Sequence, residues 1–192
     1  AETPGSPCAM ILFGASGDLA ARKLIPSLAQ LYARNLLSEH FCLIGCGRSA
    51  MSDEAFRQKM LEALHTATEP VSSESATEFA QKFYYVSGDY SDPAFYQAIQ
   101  DRLVELDAAH GFERNIVFYM SVPPTLYTVI VDQIRHAGLS SAQSPCPWHA
   151  HLVVEKPFGH DLESARALNQ TISQCFKESE TYRIDHYLGK ET

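Results

Sequence analysis

"ILFGASGDLAARK", residues 11 to 23, is the stretch on which the fold turns. An apolar run of strand length stops at Gly14, and a helix-forming run begins a few residues later. Gly14, Gly17 and Ala20 give G-x-x-G-x-x-A. Gly14 permits a tight turn, Gly17 a close approach to the backbone, and small Ala20 a helix packed tightly on a sheet. The free N–H groups at such a helix start suit an anion, and the Ser16 hydroxyl adds a donor. The spacing departs from G-x-G-x-x-G, and a strand-to-helix turn without a ligand also uses glycines. Pro26 requires either a kink or a short turn before the helix proper.

The rest of the chain repeats this alternation. Residues 8–13, 41–46, 83–88, 115–122, 151–157 and 181–185 read as strands. Residues 18–37, 53–68, 92–109, 124–137 and 161–177 read as helices, with Asp53 and Asp92 as N-caps and Pro93 in a first helical position. Phe95, Ile99, Leu103 and Leu106 form one apolar stripe. Strands apolar on both faces and separated by helices predict an α/β fold: a doubly wound, mostly parallel sheet with helices on both faces. Residues 66–75 and 138–149 read as polar connectors.

The totals fit one soluble globular domain over 1–192, with 45% hydrophobic and 20% charged residues. A net charge of −8 argues against a nucleic-acid surface. There is no apolar run of membrane-spanning length, and the small, polar first residues, "AETPGSPC", do not read as a secretory leader. The first residue is not Met, which leaves room for residues upstream. Five scattered cysteines predict reduced thiols and a cytoplasmic location, and Cys42 and Cys46 lack the second ligand pair that a zinc site needs. No metal is expected.

Placed at the first strand of such a chain, the glycine turn predicts a dinucleotide site. In NAD binders an acid at the end of the second strand holds the ribose hydroxyls. Here Arg48 and Ser49 stand there, and no acid follows until Asp53. A guanidinium suits a 2′-phosphate, which favours NADP. Lys23 is a second phosphate contact or surface charge. Lys156 ends the fifth strand before Pro157, where ligands of open α/β sheets gather. The closing stretch "RIDHYLGKET" (183–192) holds Asp185, His186, Tyr187 and Lys190. A helical turn after Asp185 would bring the imidazole, phenol and ammonium together on a phosphate dianion. Asp185, facing elsewhere, would orient a different histidine, and the histidines present show no spacing that makes one of them that partner.

"GASGDLAARKLIPSLAQLY", "EKPFGHDLESA" and "RIDHYLGKE" resemble the motifs of the glucose-6-phosphate dehydrogenase family, over essentially the whole chain from about Cys8. The resemblance implies a Rossmann-type coenzyme domain of an oxidoreductase that takes the first step of the oxidative pentose phosphate pathway. The turn from Gly14 through Ala15, Ser16, Gly17, Asp18, Leu19, Ala20 and Ala21, with Lys23, Arg48, Ser49 and Tyr119, would hold NADP. Lys156 would touch sugar and coenzyme, and Pro157 would set the nicotinamide. His186, Tyr187 and Lys190 would bind the 6-phosphate of glucose 6-phosphate. Asp185 would pair with a catalytic histidine beyond Thr192, in a β+α domain absent here. The fragment alone is therefore expected to be inactive, and the full-length enzyme to be a homo-oligomer. Gly47 before Arg48 departs from the family pattern and predicts a looser backbone there. The alternatives are an enzyme of the glucose–fructose oxidoreductase type and a non-catalytic NADP-binding module.

Overall fold

The computed structural model describes residues 4–17, 20–140, 146–156 and 161–185. Among these residues six strands form one sheet: β1 (Ala9–Phe13), β2 (Cys42–Gly47), β3 (Phe83–Ser87), β4 (Asn115–Met120), β5 (His149–Lys156) and β6 (Thr181–Asp185). Their order is β3-β2-β1-β4-β5-β6, with every pairing parallel. The order reverses at β1, whose neighbours are β2 and β4. That switch point opens a crevice at the carboxyl ends of the strands.

Among the described residues six α-helices divide between the two faces: α1 (Ile25–Ala33), α2 (Asp53–His65), α3 (Ser73–Ala80), α4 (Pro93–His110), α5 (Tyr127–His136) and α6 (Leu162–Cys175). The strands alternate, so Ile11, Phe13, Ile44, Phe118 and Leu152 pack under α4, α5 and α6. Leu12, Leu43, Phe83 and Tyr85 pack under α1, α2 and α3. On this second face β6 leaves Tyr182 and Ile184 exposed, with Tyr182 stacked on His151 at 5.9 Å. In α4 the predicted stripe of Phe95, Ile99, Leu103 and Leu106 is buried. At ~1.5–3 kcal/mol for each buried side chain, the stripe outweighs the ~1 kcal/mol of the Asp92 cap and sets which way the helix faces.

Several boundaries differ from the sequence reading. Residues 66–75 are not connector throughout, because Ser72 accepts the N–H of Ser75 and starts α3 at Ser73. Eight residues with Ala76, Phe79 and Ala80 buried are too short for clear periodicity, so the signal lay in the cap. The N-cap of α2 is Ser52 rather than Asp53, whose carboxylate is used elsewhere. Within the span read as a helix over 18–37, Ala20–Leu24 form a π-helical turn, followed by α1, which ends at Ala33 and has Pro26 in its first turn, where a missing N–H is tolerated. Before α5, residues Pro124–Leu126 form a 3-10 turn.

Candidate functional site

The carboxyl end of β1 is shaped by Gly14. Its φ is +83°, and a Cβ there would lie 2.1 Å from the Ser121 carbonyl oxygen at the end of β4. No side chain fits, and the turn runs hard against β4. The N–H groups of Gly14 and Ala15 both point to the Cys46 carbonyl at 3.0 Å, and Gly14 also donates to the Tyr90 hydroxyl at 3.0 Å. Gly17 N–H donates to the Gly14 carbonyl at 3.0 Å and closes the turn. Ala15 and Ala20 are buried while Gly17 is exposed, so the turn is anchored beneath and open above. Ala21 follows in the π-helical turn, partly buried, and Lys23 is exposed.

At the end of β2, Gly47 is buried and in register with Ser87. A Cβ on Gly47 would lie 2.6 Å from the Tyr85 hydroxyl and 2.8 Å from Ser16 Oγ. A glycine at this place leaves room for the Tyr85 hydroxyl and the Ser16 side chain to close around it. Arg48 and Ser49 follow, both exposed. The Ser49 carbonyl accepts the Tyr85 hydroxyl at 2.7 Å. The Arg48 charge reaches Asp89, which lies beyond β3. Hydrogen bonds from the Ser91 backbone and hydroxyl, and then Arg48, hold the Asp89 carboxyl below its usual range. Tyr90 beside it is 6% exposed, and burial pushes its phenol up to about 12. It accepts from Gly14 and keeps its proton free to donate. Asp89 and Tyr90 escaped the sequence reading, because only the parallel β2–β3 pairing brings the end of β3 beside the glycine turn.

Across the crevice, the Tyr119 hydroxyl donates to Glu155 Oε1 at 2.9 Å, tying β4 to β5. Burial first, and then Glu155, push the Tyr119 phenol up. Tyr127, in the first turn of α5, is 2% exposed. Burial and the Glu155 charge raise it to about 12, opposed by a backbone hydrogen bond from Glu155. Both tyrosines thus converge on the residue before Lys156. The backbones of Lys156 and Asp185 close β5 and β6 as register partners, at the same end of the sheet as Gly14.

These are the features of a nucleotide crevice, and the comparisons agree. A family model described as "Glucose-6-phosphate dehydrogenase, NAD binding domain" matches residues 11–192. The chain belongs to the glucose-6-phosphate dehydrogenase family. It is 43% identical over 189 residues to glucose-6-phosphate 1-dehydrogenase of Treponema pallidum, covering 97% of this chain and 36% of that protein. It is 42% identical over 185 residues to the enzyme of the same name from Aggregatibacter actinomycetemcomitans, covering 96% and 37%. A solved structure described as glucose-6-phosphate dehydrogenase in complex with its substrate glucose-6-phosphate superposes with a TM-score of 0.84 at 31% identity, over 100% of this chain and 39% of that one. The chain thus spans little more than a third of the length of these relatives. The match decides for this family over the glucose–fructose oxidoreductase type.

Within this family's crevice the structure gathers Gly14, Ala15, Ser16, Gly17, Ala20, Ala21, Arg48, Ser49, Tyr119 and the strand ends at Lys156 and Asp185 along one edge of the sheet. Asp18, Leu19, Pro157, His186, Tyr187 and Lys190 lie outside the described residues. Among the described residues no helix is long and apolar enough to cross a membrane.

Proposed function

We propose that residues 1–192 form the coenzyme-binding domain of an NADP-dependent glucose-6-phosphate dehydrogenase. The whole enzyme would oxidise C1 of glucose 6-phosphate to 6-phosphogluconolactone. The observation that carries this reading is the glycine turn: Gly14 pressed against Ser121, Gly17 open, and exposed Arg48 at the end of β2 in place of an acid. A dinucleotide diphosphate fits over such a turn, and a 2′-phosphate fits a guanidinium.

The coenzyme, when bound, accepts the hydride from C1. The residues of this chain bind and orient. The turn from Gly14 to Ala21, with Lys23, Arg48, Ser49 and Tyr119, holds NADP. Lys156 contacts both sugar and coenzyme, and Pro157 sets the face of the ring that meets the sugar. His186, Tyr187 and Lys190 hold the 6-phosphate. Asp185 orients a histidine that takes the C1 hydroxyl proton, supplied by a β+α domain within the additional length that the relatives possess. That longer protein is expected to be a homo-oligomer working in the cytoplasm, without nucleic-acid or membrane partners.

Calorimetry of this chain with NADP and NAD tests the coenzyme half: tighter NADP binding is expected, and no binding of either would refute it. Reduction of NADP by glucose 6-phosphate, assayed with a chain of the relatives' full length, tests the rest. A longer chain that binds NADP and turns nothing over would point to a non-catalytic module.

A further inference from the structure

We propose that Lys59, on α2, is a coenzyme-specificity residue that supplies a second cation, beside Arg48, for the adenosine phosphate of NADP. The inference rests on the coenzyme assignment above and deepens it. Lys59 lies 43 residues from the turn in sequence, yet its Nζ donates to the Ser16 carbonyl at 2.9 Å. Packing brings it there. Phe56 and Met60, on either side of it in α2, are fully buried. The Phe56 ring sits so close over Gly45 that a Cβ there would lie 2.5 Å from it. The helix therefore approaches the sheet directly beneath Ala15 and Ser16, with the end of β2 crowded against Ser16.

The charge of Lys59 is uncompensated among the described residues. Among the described residues its ammonium meets no carboxylate. Of the acids of α2, Asp53 bonds Arg102 and the Tyr85 N–H, Glu54 bonds Arg57 and Gln58, and Glu62, three residues on, forms no ion pair with Lys59 among the described residues. An ammonium carries three donors, and the Ser16 carbonyl uses one. In a chain of net charge −8, an unpaired cation clamped to a phosphate-binding turn is placed for an anion. The adenosine ribose of a dinucleotide lies between this turn and the end of the second strand, where Arg48 stands. NADP carries a phosphate on that ribose and NAD does not, so the lysine charge separates the two.

The test compares wild type, Lys59→Gln and Lys59→Arg by calorimetry with NADP, NAD and 2′,5′-ADP, with thermal melts to confirm folding. Lys59→Gln is expected to weaken NADP and 2′,5′-ADP roughly tenfold, about the worth of one charge-assisted hydrogen bond. NAD should change less than about twofold on the same scale. Lys59→Arg should restore most of the NADP affinity, and NADP binding by Lys59→Gln should be less sensitive to salt. Equal losses for NADP and NAD would make Lys59 a clamp on the turn and overturn the proposal, as would no loss for either. Wild-type chain that binds NAD and NADP equally would overturn it too. Binding of neither by wild type would remove the coenzyme assignment itself, and this inference with it.

Discussion

Two polar clusters lie within α2's reach, one at the free edge of β3 and one at the crevice beyond β1, and they are built on opposite plans. At the β3 edge the bonds are closed. Asp53 accepts the outward N–H of Tyr85 at 2.8 Å and pairs with Arg102, while Arg57 Nε donates to the outward carbonyl of Phe83 at 2.8 Å. Both guanidiniums lie over the Tyr84 ring, at 5.0 and 5.2 Å, and the Tyr84 hydroxyl bonds His110 Nε2 at 2.7 Å. Side chains thus take up the edge groups that would otherwise recruit another strand. At the crevice Gly17 and Arg48 are exposed, the Tyr90 phenol keeps a proton to give, and Lys59 has donors to spare. Polar groups that satisfy one another hold the fold, and polar groups anchored at one end and open at the other await a ligand.

The largest expected effect tests the anchoring of the crevice. Gly14→Ala forces a side chain into the left-handed region and into the Ser121 carbonyl. Strain and overpacking of about 1–3 kcal/mol each should lower the urea midpoint sharply and abolish dinucleotide binding. An unchanged midpoint would mean that the turn is not pressed on β4. Asp53→Ala should cost about 1–3 kcal/mol, because it strands the Tyr85 N–H and Arg102. It should leave the NADP-to-NAD ratio intact, and a changed ratio would blur the division between the clusters. Arg48→Ala inverts that pattern: the unfolding free energy from urea titration should stay within about 0.5 kcal/mol, while NADP affinity falls by about 1.5–3 kcal/mol and NAD affinity falls less. Equal losses would remove Arg48 from the 2′-phosphate.

The smallest effect is a pH slope at the β3 edge. Burial first, and then Lys82 and His40, lower the His110 pKa below its ordinary 6.5. The folded state therefore holds this ring neutral where the unfolded chain would protonate it. The stability linked to it is present above pH 6.5 and is lost as pH falls from there through the folded value. Urea midpoints taken from pH 7 to pH 5 should decline less steeply in His110→Gln than in wild type. Parallel declines would show that His110 is not part of the closed network.

Much of the fold was legible because burial imposes a rhythm. The apolar runs at 8–13, 41–46 and 83–88 fall on β1, β2 and β3 to within a residue or so, and the stripe on α4 faces the core as expected. α3 was missed because eight residues hold barely two turns and its Ser-rich start looks like a loop. The position of Arg48, exposed just past the second strand, was legible. Asp89, Tyr90 and Lys59 were not, since no spacing joins residue 59 to residue 16. Tyr119 was legible as a residue near the strand ends, but the bond from its hydroxyl to Glu155 was not.

By itself, then, the order of residues determined the alternating strands and helices, the glycine turn and the family motifs, because these depend on local geometry and on which side chains avoid water. Which side chains stand open was decided by tertiary structure alone. Whether a phenol, an ammonium or a carboxylate is free depends on the atoms that packing brings within 3 Å of it, and those belong to parts of the chain tens of residues away.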